Sequence, residues 1–458
     1  MNIFDYTDCF FRIEERLGLF HDRVDGQFWW DIARHDVFNH VFRSEFGVRL
    51  DSAPPNDVAR RARGLAERAR LRIRLWLEIR AHAHEVIVFR APRQRRDGRR
   101  IDPAVDHLVN VCPGRHLIID TVPHYYHRRE LLKFNRRPTR PGALDDLLAA
   151  FDTEMGIQAD KSYVEALVLE RLSDFVQARA DYIRLFSCVR PRFVLLSQNG
   201  IEKAMFSAAR ELGIPLIEAQ HGLINRTHPA YSYSPRIDYR GLDTFPKVFL
   251  TFSSYWSDAC YYPVEHCVAI GNDDFFVERS TAEAGREDVI FISADIYHKK
   301  LAPWLKAAAE RLPARSFKYK LHPNQHADFE TVRDELAVFP NVEVVPGDVP
   351  ARQLLEGATC VVMISSTLAY EAVQSGRRLC IIPEMNYQVH EDLFGLSGVT
   401  VPLHVDELVD SIAASSQFER SVTFFDRFNE SRATELIKLL FERGSLDSYH
   451  PSLVGSGR

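Results

Sequence analysis

The chain of 458 residues is conspicuous first for what it does not contain. No apolar run approaches the about 20 residues that a membrane-spanning helix needs. The opening segment, MNIFDYTDCFFRIEER, has no basic stretch followed by an apolar core, so no secretory signal is expected there. Cysteine is scarce: Cys9, Cys112, Cys188, Cys260, Cys267, Cys360 and Cys380 are scattered, odd in number and without a C-x-x-C pair. That supports neither a disulfide framework nor a zinc knuckle, and predicts a reducing, cytoplasmic setting. A basic excess is absent too. With 58 Lys and Arg against 63 Asp and Glu, the net charge is −5, which argues against a nucleic-acid partner. No G-x-x-x-x-G-K-[ST] loop, H-E-x-x-H helix or strand followed by G-x-G-x-x-G occurs, which disfavours a P-loop kinase, a zinc peptidase and a dinucleotide oxidoreductase. Asp273-Asp274 follows a strand pattern but lacks D-x-D spacing, so no metal ligand set is expected.

What remains is an ordinary globular balance, 46% hydrophobic and 26% charged, at a length that predicts two domains. Trp29, Trp30, Phe38 and Phe42 recur at helical spacing and read as a packing helix. Residues 58–80 form a basic helix in which Leu65, Leu71, Leu75 and Leu77 lie among eight arginines. It either solvates its arginines or rests on anionic lipid at the inner membrane face. The texture then changes. HEVIVFRAPR and RHLIIDTVP read as buried strands, followed by a long helix over 160–187. RFVLLS, IEKAMFSAARELG and IPLIEA continue a strand–helix–strand alternation. After a loop at 220–246 the alternation restarts with KVFLTF, CVAIG, DVIFIS, FKYKLHP, VEVVP, TCVVMIS and RLCIIP, with helices between. Short apolar runs alternating with amphipathic helices predict parallel sheets covered on both faces. Two such doubly wound, Rossmann-like units predict a ligand cleft beyond the carboxyl ends of their strands. The expected division is 1–240 (acceptor side, with a helical N-terminal extension), 241–420 (nucleotide sugar) and 421–458, a final helix packing back on the first unit.

Three constellations fall at strand ends. Glu218-Ala219-Gln220-His221-Gly222 follows IPLIEA. His221 titrates near neutrality and is placed to act as acid, base or donor, or else to cap a loop. Gly222 suits a left-handed turn or a close backbone approach. Downstream, Arg226, His228 and Tyr231 are expected in a mobile, acceptor-side or lid element. Lys320-Leu321-His322-Pro323-Asn324 ends FKYKL, with Pro323 stopping the strand and a cation or donor at its lip. Ser365-Ser366-Thr367 follows TCVVMI and opens a helix, a ready anion site or a plain N-cap. Glu371 lies about one turn further, within reach of a ribose.

The run EAQHGLINRTHPAYSY resembles the Gln-His-Gly segment of bacterial capsule and lipopolysaccharide glycosyltransferases. YKLHPN and ISSTLAYEAVQSG are similar to the His-Pro and Ser-Ser motifs of enzymes that use CMP-activated sugars, including sialyltransferases and transferases of the eight-carbon acid sugar Kdo. The resemblance covers roughly residues 190–385 and touches the N-terminal third loosely. It implies a GT-B fold, two Rossmann-like domains facing a cleft, with His322, Ser365 and Ser366 holding the nucleotide and its phosphate. It also implies transfer of a sugar from a nucleotide donor, CMP-linked, to a surface polysaccharide or glycolipid, with no other cofactor. The Gln-His-Gly segment is shared with polymerases that use CDP-glycerol, so it does not identify the sugar. The sialyltransferases carry an acidic pair before glycine as base, whereas the corresponding region here is Ser197-Gln198-Asn199-Gly200. The base is therefore sought in Asp120, after HLII, or in Glu218. Arg90 and Arg93, flanking VIVFRAPR, are placed to hold an acid sugar's carboxylate. Three rival readings are a non-hydrolysing sugar-nucleotide 2-epimerase, which does not account for the Gln-His-Gly loop, a CDP-alcohol phosphotransferase, and an inactive scaffold of a polysaccharide complex, which binds no nucleotide.

Overall fold

The computed structural model describes residues 3–46, 76–92, 94–96, 98–120, 138–197, 201–278, 288–293, 298–384, 387–414, 422–446 and 449. Of the basic segment 58–80, only 76–80 falls among them. There the Arg80 guanidinium lies 4.1 Å from the centroid of the Trp76 ring, and both Trp76 and Leu77 are exposed. Arg93 and the segment 198–200 lie outside the described residues.

The described residues form fourteen strands: β1 (Val86–Arg90), β2 (Gln94–Arg96), β3 (Arg99–Ile101), β4 (His116–Asp120), β5 (Phe193–Leu196), β6 (Leu216–Ala219), β7 (Val248–Thr251), β8 (His266–Ala269), β9 (Asp288–Ile292), β10 (Ser316–Lys320), β11 (Val342–Val345), β12 (Ala358–Met363), β13 (Arg378–Ile381) and β14 (Val399–Thr400). Apart from the antiparallel β2–β3 hairpin, they form two all-parallel, six-stranded sheets. Their orders are β4-β1-β5-β6-β7-β8 and β11-β10-β9-β12-β13-β14. This is the two-unit, Rossmann-like α/β architecture expected from the sequence. The hairpin QRR/RRI is arginine-rich and offers no apolar alternation, which is why it escaped that reading.

The chain divides into two compact units, 4–274 with 428–458, and 1–3 with 275–427. The expected boundary at residue 240 therefore falls inside the first unit. KVFLTF and CVAIG become β7 and β8 and extend the first sheet, with Val248 aligned on Ile217 of β6. A short buried strand carries no label saying which sheet it joins, and this is the physical reason for the shift.

Every residue of β1 from Val86 to Phe89 is buried, as a strand covered on both faces requires. Val86 and Val88 share a core with Phe193, Leu195, Ile217, Val248 and Leu250, and with Ala433, Leu436, Ile437 and Leu440 of the last helix, Glu430–Arg443. On the alternate face, Phe89 meets Tyr182 of the 29-residue helix Lys161–Val189 edge-on, with ring centroids 6.0 Å apart. The N-terminal helices Ile3–Leu17, from Phe4 onward, and Trp29–Phe46 belong to this unit. Trp29, Trp30 and Phe38 are buried, the packing role their spacing predicts.

In the second unit, Val289, Phe291, Phe317, Tyr319, Cys360 and Val362 form the core of one sheet face. Leu301 and Leu305 of the helix His298–Arg311 and Leu408 and Ile412 of the helix Val405–Ala413 pack on it. The helix Leu368–Gln374 ends at Gly376, whose φ of 78° lies in the left-handed region that only glycine enters without strain. Its last residue, Gln374, is fully buried. Its amide oxygen accepts from the Phe424 and Phe425 N–H groups (2.8 Å each), and its NH2 donates to the Phe425 carbonyl (2.8 Å) and the Val277 carbonyl (3.3 Å). One side chain thus ties together the segments by which the chain enters and leaves this unit.

Candidate functional site

In an open parallel sheet, ligands collect beyond the carboxyl ends of the strands, where the strand order reverses. In the second unit the chain runs outward from β9 through β10 to β11, then crosses back to β12. The reversal therefore lies between β9 and β12. Ser293 follows β9, His322 follows β10 by way of Leu321, and Ser365-Ser366-Thr367 follows β12. The structure thus brings His322 and the Ser-Ser-Thr turn to one sheet edge.

The turn is more specific than its sequence suggests. The Ser366 hydroxyl accepts from the Leu368 N–H (3.3 Å), so Ser366 caps the helix Leu368–Gln374. The Ser366 N–H donates to Nε2 of His390 (3.1 Å). Thr367 makes no side-chain cap, and the hydroxyls of Ser365 and Thr367 have no partner among the described residues; both side chains are half-buried. Since the helix has only seven residues, an anion here would rest on these hydroxyls rather than on a long helix dipole. Glu371, one turn on, is buried with no hydrogen bond to its carboxyl. Burial pushes that carboxyl up to about 7, with the charge of Arg352 opposing.

Lys320 does not face this edge as a free cation. It is buried, and its ammonium donates to the carbonyls of Leu321 and Gly347, the latter at 2.9 Å. Burial holds it down to about 8, with Asp348 pulling upward. Its strand position is as expected, but its ammonium satisfies backbone oxygens. Pro323 opens the 3-10 turn Pro323–Asp328, and His322 is fixed by its N–H donating to Oε1 of the buried Gln325 (3.0 Å). Beneath the edge, the Tyr319 hydroxyl donates to Ser293 Oγ (3.2 Å) and lies 2.8 Å from Nδ1 of His298.

The first unit corrects several expectations. Side chains alternate along β6: Ile217 and Ala219 enter the core shared with the last helix, so Glu218 turns to the other face. There it is wholly buried, accepting from the hydroxyls of Tyr231 (2.8 Å) and Tyr262 (3.1 Å). It is a clamped structural carboxylate and not an open base. Tyr231, expected on the acceptor side, is likewise buried and stacks on Phe249, with centroids 5.2 Å apart. Gln220 is buried and spends its amide on the backbone, donating to the Gly222 carbonyl and accepting from the Phe252 N–H (2.9 Å each). Gly222 has no left-handed φ, so the turn advanced for that glycine does not apply, and a Cβ there would meet no protein atom.

The loop expected to be a mobile, acceptor-side or lid element packs much of its length against the body of the unit. Its Tyr233, Tyr239 and Phe245 are buried. Tyr233 donates to Asp31 (3.2 Å), which also receives the buried Lys203 ammonium (3.1 Å). Arg34, paired with Glu14 (2.6 Å), reaches the Pro229 carbonyl. These aromatic residues pack against the N-terminal segment, Tyr233 and Tyr239 both meeting Phe20, and each buried ring contributes about 1.5–3 kcal/mol.

Two candidates stay at the strand edge. His221 is half-buried just past β6. Nearby, His228 is pulled down to about 3 by burial, with His35 and His221 adding to the effect, and its Nδ1 accepts from the Ala230 N–H (3.2 Å). Asp120 ends β4 with 44% of its side chain exposed and pairs with Arg90, its cross-strand neighbour (2.9 Å). Arg90 also takes Asp106 (2.9 Å), so its guanidinium is committed to two of the chain's own carboxylates. Asp102, which the motifs did not suggest, closes the β1/β5 reversal. It accepts from the Ala91 N–H (2.7 Å) and the Ala104 N–H (3.1 Å), and burial raises its carboxyl. His390 was missed as well, because it sits 24 positions from its partner Ser366 with no motif around it.

No helix among the described residues is long and apolar enough to cross a membrane. No protein-family profile matches the chain, and no curated protein is significantly similar to it. Among solved structures, the chain is similar to the Methanocaldococcus jannaschii UDP-GlcNAc 2-epimerase in complex with UDP-GlcNAc and UDP, with 10% identity, a TM-score of 0.44, and coverage of 78% of this chain and 98% of that one. It is similar to the glycotransferase of kitacinnamycin, with 17% identity, a TM-score of 0.44, and coverage of 79% and 95%. Acinetobacter baumannii MurG gives 12% identity, a TM-score of 0.44, and coverage of 77% and 99%.

Proposed function

We propose that the chain is a GT-B glycosyltransferase that takes a sugar from a nucleotide donor, CMP-linked and acidic, and passes it to a surface polysaccharide or glycolipid. The observation that carries this reading is the Ser365-Ser366-Thr367 turn. It lies at the β9/β12 strand-order reversal, with two hydroxyls open and, one turn away, a buried Glu371 whose carboxyl makes no hydrogen bond. Hydroxyl donors suit a phosphate, and a buried carboxylate suits ribose hydroxyls. The Gln-His-Gly, His-Pro and Ser-Ser motifs support the sugar-transfer class.

In the reaction, the bond between the anomeric carbon and the donor's phosphate oxygen breaks, and its electron pair leaves on the nucleotide. An acceptor hydroxyl oxygen bonds to that carbon and gives its proton to a base. Ser365, Thr367 and His322 are assigned to the departing phosphate, where fixed donors stabilise developing charge. His221 and the Arg90-paired Asp120 are the remaining candidates for proton transfer, and Glu218 is withdrawn. The test is nucleotide release from CMP-, CDP- and UDP-activated sugars, with and without a glycolipid acceptor. Release that depends on acceptor supports transfer. An epimerised sugar nucleotide formed without acceptor, or no turnover of any donor, refutes it.

A further inference from the structure

We propose that His390 is a positioning residue that sets the shape of the Ser365-Ser366-Thr367 turn by accepting the Ser366 N–H, and so governs which donors the turn offers a nucleotide phosphate. The inference rests on the nucleotide reading above. His390 is fully buried in the segment Tyr387–Leu393, and its Nε2 lies 3.1 Å from the Ser366 nitrogen. A second tether runs alongside: the Tyr370 hydroxyl donates to Asp392 (2.9 Å), and the Tyr370 and His390 rings meet at 5.6 Å and 60°.

To accept at Nε2, the neutral imidazole must carry its proton on Nδ1. That atom is buried and has no partner among the described residues. A buried polar group without a partner is costly, and an apolar side chain of similar size would avoid the cost if packing were the only requirement. The imidazole is therefore explained by the acceptor it supplies. Without it, the Ser366 N–H would lose its partner, and the turn would lose the contact that holds the Ser365 and Thr367 hydroxyls in place. With the Ser366 N–H and hydroxyl both used internally, the turn offers the hydroxyls of Ser365 and Thr367.

The test uses the full chain and three proteins: wild type, His390→Leu and His390→Gln. The glutamine carbonyl can replace Nε2 as acceptor, while leucine keeps only the bulk. Two quantities are read: hydrogen exchange at the Ser366 amide, and affinity for CMP, CDP and UDP by calorimetry. His390→Leu is expected to speed that exchange and to weaken binding about tenfold or more, the scale of one lost hydrogen bond to a charged ligand. His390→Gln is expected to restore both. Unchanged exchange or unchanged affinity in His390→Leu overturns the proposal. So does failure of glutamine to restore either quantity, which would leave His390 a packing residue. If wild type binds none of the three nucleotides, the functional reading falls and takes this inference with it. If wild type binds and His390→Leu binds equally, only this inference falls.

Discussion

Glu371 sits buried in the helix Leu368–Gln374 with no hydrogen bond to its carboxyl, and burial raises that group from its ordinary 4.5 to about 7. Between those two values the folded protein holds a proton that the unfolded chain has already released. This group's contribution to stability is therefore full below pH 4.5, falls as pH rises toward 7, and stays lost above. The gap between 4.5 and about 7, with the opposing charge of Arg352 already included, corresponds to about 3 kcal/mol. Glutamine cannot ionise. Glu371→Gln should thus match wild type in urea denaturation near pH 4.5 and exceed it increasingly up to pH 8, by as much as about 3 kcal/mol. The same substitution should weaken nucleotide binding at pH 8 by about tenfold, because a ribose hydroxyl loses its charged acceptor. A stability difference that does not change with pH would refute the claim that the carboxyl is buried without a hydrogen bond. A stabilised variant with unaltered nucleotide affinity would remove Glu371 from the site.

Three further outcomes follow from the first unit and from the crossing segments. Glu218→Gln weakens two hydroxyl hydrogen bonds to a buried carboxylate and should cost about 1–3 kcal/mol in denaturant unfolding while leaving turnover per folded molecule intact, whereas a thousandfold loss of turnover would reinstate it as the base. Gln374→Leu should cost about 2–4 kcal/mol, because it strands the buried Phe424 and Phe425 N–H groups, and an unfolding midpoint equal to wild type would contradict the network. His221→Ala should leave nucleotide affinity unchanged and lower transfer by about 10²–10⁴-fold, so loss of binding would move it to the nucleotide, and full activity would make it structural.

The parallel architecture was legible because buried strands such as VIVF, FVLL and VFLT are short apolar runs bounded by helices, a pattern few other folds produce. Strands lacking that contrast were not: the arginine-rich β2–β3 hairpin and the two-residue β14. The strand-end rule placed His221, His322 and Ser365–Thr367 at sheet edges because position along a strand follows from sequence. Which face a residue takes is harder to read. Glu218, one residue from the end of β6, turned inward to two tyrosines, and Tyr231 was drawn to it across 13 positions. Lys320 and Gln220 looked like ligand contacts because their side chains can serve either a ligand or the backbone, and the structure gives both to the backbone. The partners of Ser366 and Arg90, namely His390, Asp106 and Asp120, are set by tertiary packing and carry no local signal.

The central claim is that a nucleotide phosphate meets the open hydroxyls at the β9/β12 reversal. Calorimetric titration of wild type and of the double variant Ser365→Ala, Thr367→Val with CMP, CDP and UDP tests it most directly. The account predicts that wild type binds at least one of them and that the double variant, with unchanged thermal unfolding, binds it about 10–100-fold more weakly, as expected for two lost hydrogen bonds to a charged group. No binding by wild type, or equal binding by both proteins, would contradict it.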